Sequence, residues 1–91
     1  MRMGRCLFTV TETLAVRGRG VVLLPELKPV GAEKFIVGGP LTLRRPDGSE
    51  ELVRIGGLEF LKPLEGKCQL VVALWGKTKE DVPIGTEVWS I

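Results

Sequence analysis

The feature that most constrains this chain is Ala15-Val16-Arg17-Gly18-Arg19-Gly20-Val21-Val22-Leu23-Leu24, in which two glycines flank an arginine between apolar, β-branched runs. Valine and leucine on either side favour extended backbone, and no helical apolar period is sustained through them. Glycine reaches backbone angles closed to other residues, so Gly18 and Gly20 allow a kink, a bulge or a sharp turn between two strands. The missing side chains also leave backbone open to a flat ligand. Val21–Leu24 is a short continuous apolar run, as expected of a strand covered on both faces, and Pro25 closes it because proline cannot donate to a sheet ladder.

The rest of the chain repeats this grammar. Leu7–Val10 and Leu14–Val16 read as strands, Pro29 and Gly31 mark a turn, and Phe35-Ile36-Val37 is a short strand candidate closed by Gly38-Gly39-Pro40. Leu41–Arg44 and Glu51–Ile55 alternate around Pro46-Asp47-Gly48-Ser49, the clearest hairpin signal in the sequence. Leu58–Leu61 resumes the strand pattern, Pro63–Lys67 reads as a loop, and Gln69–Trp75 is the most apolar strand and therefore central. Lys77–Val82 suits one helical turn, Pro83-Ile84-Gly85 turns the chain back, and Thr86–Ile91 is a last strand. Short strands at regular spacing predict an all-β fold, a small closed antiparallel β-barrel, since closure removes edges that so apolar a sheet would expose. Ninety-one residues make one such domain, 1–91, with residues 1–6 a less ordered start.

Composition narrows function mainly by exclusion. Histidine and tyrosine are absent, which removes the commonest general base and the imidazole metal ligand. The only serines, Ser49 and Ser90, lie in a turn and at the end of the chain, and no Ser-His-Asp or Cys-His arrangement is possible. Glu50-Glu51 and Glu80-Asp81 are adjacent carboxylates, which point to opposite faces of a strand and read as solvated turn residues. Cys6 and Cys68 have no metal-ligand spacing and are expected to be buried free thiols. Gly18-Arg19-Gly20 lacks the lysine and hydroxyl residue of a phosphate-binding loop. No enzyme, cofactor or metal is expected. The opening Met1-Arg2-Met3-Gly4-Arg5-Cys6-Leu7-Phe8 has too short an apolar segment for a signal peptide, and Leu70–Trp75 is far below a membrane span, so a cytoplasmic protein with no membrane association is expected. Thirteen basic and eleven acidic side chains leave a net charge of +2, so any polyanion site must be local, around Arg17, Arg19, Arg44 and Arg45.

Three stretches in order carry a resemblance. Leu14–Val22, Gly57-Leu58-Glu59-Phe60 and Val72–Gly85 resemble the hydrophobic–Gly-Arg-Gly–valine segment, the Gly–hydrophobic–Glu motif and the strand–charged turn–glycine segment of the second domain of elongation factor Tu and related translational GTPases. The resemblance spans about residues 8 to 91. It implies the β-barrel of that domain, which in the family packs against a GTP-binding domain and holds the terminal adenosine of aminoacyl-tRNA. It implies that Val16, Gly18 and Val22 line one side of an adenine pocket beside Arg19. Glu59 would face the base or ribose, and Leu74 or Trp75 would close the opposite wall. No GTP-binding domain accompanies these motifs, so GTP hydrolysis is not expected. Two partners follow from the resemblance: RNA, such as a tRNA 3′ end, and a protein of the translation machinery that the barrel docks to or mimics. Against both stands a purely structural reading, in which Gly18 and Gly20 serve barrel geometry and Glu59 makes an internal hydrogen bond.

Overall fold

A computed structural model describes residues 4–30, 33–61 and 69–91. The expected turn residue Gly31, the Pro63–Lys67 loop and Cys68 lie outside the described residues. Eight strands form in order: β1 Cys6–Thr9, β2 Glu12–Val16, β3 Gly20–Leu24, β4 Pro40–Arg44, β5 Glu50–Arg54, β6 Gly57–Leu61, β7 Gln69–Trp75 and β8 Glu87–Trp89. A 3-10 turn, Lys79–Asp81, sits between β7 and β8 where one helical turn was expected.

The strands make two antiparallel four-stranded sheets, in the orders β1-β8-β4-β5 and β2-β3-β7-β6. The all-β expectation holds, whereas the closed barrel does not appear in the ladders: among the described residues no ladder joins one sheet to the other. The chain passes between the sheets four times, and two of these passages are short and hydrogen-bonded on both sides. Val10 donates to the Thr86 carbonyl beside β8 while Thr11 donates to Leu24 of β3. Likewise Ile55 donates to Gly39, next to β4, and Gly56 donates to Ala73 of β7. These bonds satisfy backbone groups that a corner would otherwise strip of partners.

One core fills the space between the sheets. Phe8, Leu41, Leu43, Val53 and Val88 come from the first sheet, and Val21, Leu23, Val72 and Leu74 from the second. Period-two alternation sends the other set on β3 and β7 outward, where Val22, Val71 and Ala73 form a second buried cluster flanked by Val16, Leu24 and Trp75. Hence β3 and β7 are apolar on both faces, as read for Val21–Leu24, and β7 is internal in its sheet. The Asp-Gly hairpin forms as β4 and β5, paired from Pro40↔Arg54 to Arg44↔Glu50. Phe35-Ile36-Val37 is not a strand. Gly39 donates back to Ile36 and Gly38 to Ile55, which closes the segment as a turn and leaves Ile36 and Val37 exposed.

Gly18 and Gly20 have different jobs. Arg19 donates to the Val16 carbonyl across the β2–β3 turn, and Gly18 takes a φ of +76° with open space around its α-carbon. Gly20 instead lies against β7: a Cβ there would stand 2.1 Å from the Leu74 carbonyl oxygen and 2.9 Å from the Trp75 α-carbon. Gly20→Ala is therefore expected to destabilise the fold by about 3 kcal/mol, at the upper end of overpacking costs. Gly18→Ala, which meets only the positive-φ penalty, should cost about 1 kcal/mol. Urea unfolding of the two variants checks the order, and a Gly20→Ala midpoint at or above that of Gly18→Ala contradicts the close approach.

Candidate functional site

The β2–β3 turn and the segment that leaves β7 face each other across a groove of about 550 Å³, lined by residues 15–21 on one side and 76–80 on the other. The antiparallel pairing of β3 with β7 brings these distant stretches together, with Gly20 opposite Trp75. Gly76 then donates to the Arg19 carbonyl at 2.7 Å, closing the floor of the groove. Four cations line it, Arg17, Arg19, Lys77 and Lys79, against one carboxylate, Glu80. The lining side chains thus carry a formal charge of +3, four cations less one carboxylate, against +2 for the whole chain.

These four cations are not equivalent. Lys77 is paired with Glu51 of β5, which also pairs with Arg45, and Arg45 Nε donates to the Asp81 carbonyl at 2.7 Å. Arg19 stands over the Trp75 ring, 6.0 Å from its centroid, at the outer range of a cation–π contact. Arg17 and Lys79 are exposed and form no salt bridge with a described residue. The nearby carboxylates other than Glu80 are engaged: Asp81 accepts from the Thr78 N–H at 2.8 Å, and Glu51 from Lys77 and Arg45.

Trp75 lies at the rim, half-buried on the outer face of the second sheet. Its indole rests on the Gly56–Gly57 backbone, so close that a Cβ on Gly56 would stand 2.6 Å from Cδ1. Val16 and Val22 share that outer face, by their register with Gly20, Trp75 and Ala73. Glu59 is on it too, opposite Val71 and exposed. Val71 and Trp75 are four positions apart on β7, about 13 Å at the usual strand rise.

The expected site residues therefore divide. Val16, Gly18 and Arg19 line the groove, and Trp75 adjoins it through Arg19. Val22 is buried in the outer cluster, Glu59 sits away from the groove, and neither lines it. Leu74 is turned the other way: it pairs with Val21, is 1% exposed and belongs to the core between the sheets, so of the two residues expected to close the opposite wall only Trp75 is on the outer face. Glu59 makes no hydrogen bond with a described side chain, so the internal bond considered for it is not seen among the described residues. Lys77 and Lys79 stand in the sequence as members of a charged turn, and their alternation around Thr78 gives no hint of what they face. The Arg44 and Arg45 cluster does not join the groove, and Arg45 is occupied structurally.

Among the described residues no group of acidic, cysteine or histidine side chains is placed to hold a metal ion, and no helix is long and apolar enough to cross a membrane. Comparison with known protein families, curated proteins and solved structures returns no match for the chain.

Hydrogen bonds from Lys77 first and Arg45 second hold the Glu51 carboxyl below its ordinary value, and the Thr78 backbone N–H does the same for Asp81. Both carboxylates bind protons less readily folded than unfolded, so their contribution is complete above the ordinary carboxylate pKa and is lost as pH falls through the lowered one. With histidine absent, the urea midpoint is expected to be flat from about pH 7 to 5 and to fall below about pH 4. Glu51→Gln should lose about 1 kcal/mol at neutral pH and show a shallower acid decline; an unchanged acid decline rules out the Glu51 pairs as its source.

Proposed function

We propose that this chain is a non-catalytic RNA-binding module of the translation-factor second-domain type, working in the cytoplasm on a single-stranded end such as the CCA terminus of tRNA. The observation that carries this reading is the placement of a half-buried tryptophan, with Arg19 over its ring, beside a groove lined by four cations. An aromatic face beside positive charge is the combination that holds an unpaired base and its phosphate. In this reading the two sheets are halves of the family's small barrel, and the passages at Val10–Thr11 and Ile55–Gly56 are its corners. Val16 and Gly18 flank the groove, while Glu59 meets a ribose or neighbouring base on the same sheet face.

A second reading, a docking module for a protein of the translation machinery, is favoured by a different feature. Phe35, Ile36, Pro40, Ile55 and Ile91 line an apolar groove of about 390 Å³, and Ile36 is 67% exposed at its lip. Salt separates the two, because phosphate contacts weaken steeply with ionic strength and apolar contacts do not.

The test uses Trp89→Phe, which leaves Trp75 as the sole tryptophan, titrated with an oligoribonucleotide ending in CCA. Saturable quenching at low salt is expected, weakened at moderate salt. Trp75→Leu, followed with a labelled RNA, should bind at least tenfold more weakly, within the range for one lost base stack. Absence of any fluorescence change, or equal RNA affinity in Trp75→Leu, overturns the reading.

A further inference from the structure

We infer that the groove between the β2–β3 turn and residues 76–80 is a track for the RNA sugar–phosphate backbone, adjoining and distinct from the base-holding face at Trp75. In this track Arg17, Arg19 and Lys79 neutralise phosphates and Lys77 does not. The inference rests on the RNA-binding reading and adds to it where the strand runs and which charges grip it.

Charge and pairing carry the assignment. Arg17 and Lys79 occupy opposite walls, are exposed, and have no salt-bridge partner among the described residues, so neither charge is already engaged by an ion pair. Lys77 already has Glu51, whose carboxyl is held ionised by two cations, and a phosphate gains little from a charge that is spoken for. Arg19 connects the two sites, since its guanidinium stands over Trp75 while the residue lines the groove. A base stacked at Trp75 and a phosphate beside Arg19 therefore belong to the same or neighbouring nucleotides. Gly18 and Gly76 leave the groove free of bulk: a Cβ at either would meet nothing within 4 Å. That open space admits a flexible backbone without displacing side chains. The single carboxylate, Glu80, marks the groove's least favourable point for an anion.

The salt dependence of affinity counts the phosphates engaged. Single strands give a slope of log K against log salt of about −0.7 per neutralised phosphate. Three gripping cations predict a slope of about −2, or roughly a twentyfold loss of affinity between 50 and 200 mM salt. The experiment measures binding of a labelled eight-nucleotide RNA ending in CCA over that range, for the native chain, Arg17→Ala/Lys79→Ala and Lys77→Met. The double variant should lose only about threefold over the same range, its slope having fallen to about −0.7, while Lys77→Met keeps the native slope. Binding of adenosine alone, followed by Trp75 fluorescence in the Trp89→Phe background, should be the same with and without the double substitution. Far-ultraviolet circular dichroism and urea unfolding establish that the exposed Arg17 and Lys79 changes leave the fold intact. An unchanged slope in the double variant overturns the track while leaving RNA binding at Trp75 standing. A slope reduced as much by Lys77→Met overturns the division of roles. Failure of the native chain to bind the RNA at all overturns both this inference and the reading beneath it.

Discussion

The far wall of the basic groove has little regular structure of its own, one 3-10 turn between β7 and β8, so its position depends on how it is tied down. The tie is ionic. Glu51, on β5 of the first sheet, holds Lys77 with one oxygen and Arg45 with the other, and Arg45 reaches on to the Asp81 carbonyl. This places both ends of the 77–81 segment against the first sheet. The near wall is fixed by different means, through the approach of Gly20 to β7 and the Gly76 hydrogen bond to Arg19. A groove whose walls hang from different sheets keeps its width only while the sheets keep their relative position, and the shared core supplies that. Leu74 is thus connected to the groove indirectly: it packs between the sheets directly beneath the strand from which Trp75 projects.

Local signals made most strands legible. Alternation around Asp47-Gly48 set the β4–β5 pair, and proline ended β3 where expected. What was not legible is facing. In Val71-Val72-Ala73-Leu74 every residue is buried, so hydropathy carries no parity, and a one-residue slip exchanges the two faces of the strand. For that reason Leu74 and Trp75 were indistinguishable as wall residues until the pairing with Gly20 and Val21 fixed them on opposite sides. Phe35-Ile36-Val37 failed for a related reason: three apolar residues suit a strand, but the Gly39 N–H folds the segment back onto Ile36 while the Gly38 N–H ties it to Ile55. The short passages between the sheets depend on backbone partners, and no side-chain pattern reports those. The candidate site was legible in its glycine–arginine half alone, because Lys77 and Lys79 join it through a β3–β7 register that spans more than fifty residues of sequence.

A nearly neutral chain can still hold a local excess of charge if the acids nearest that charge are paired, and here Glu51 and Asp81 are. Glu51 neutralises Arg45 and Lys77, Glu33 takes Arg5 at the other end of the molecule, and Asp81 turns inward to the Thr78 N–H, where it steadies the 3-10 turn. Each of these carboxylates is pulled below its ordinary pKa by the partner it serves. Arg17 and Lys79 are left lining one groove from opposite walls, with Glu80 the one carboxylate among its lining residues. Like charges so placed repel, which opposes the folded state. The shared core and the Glu51 ion pairs hold the walls together against that repulsion.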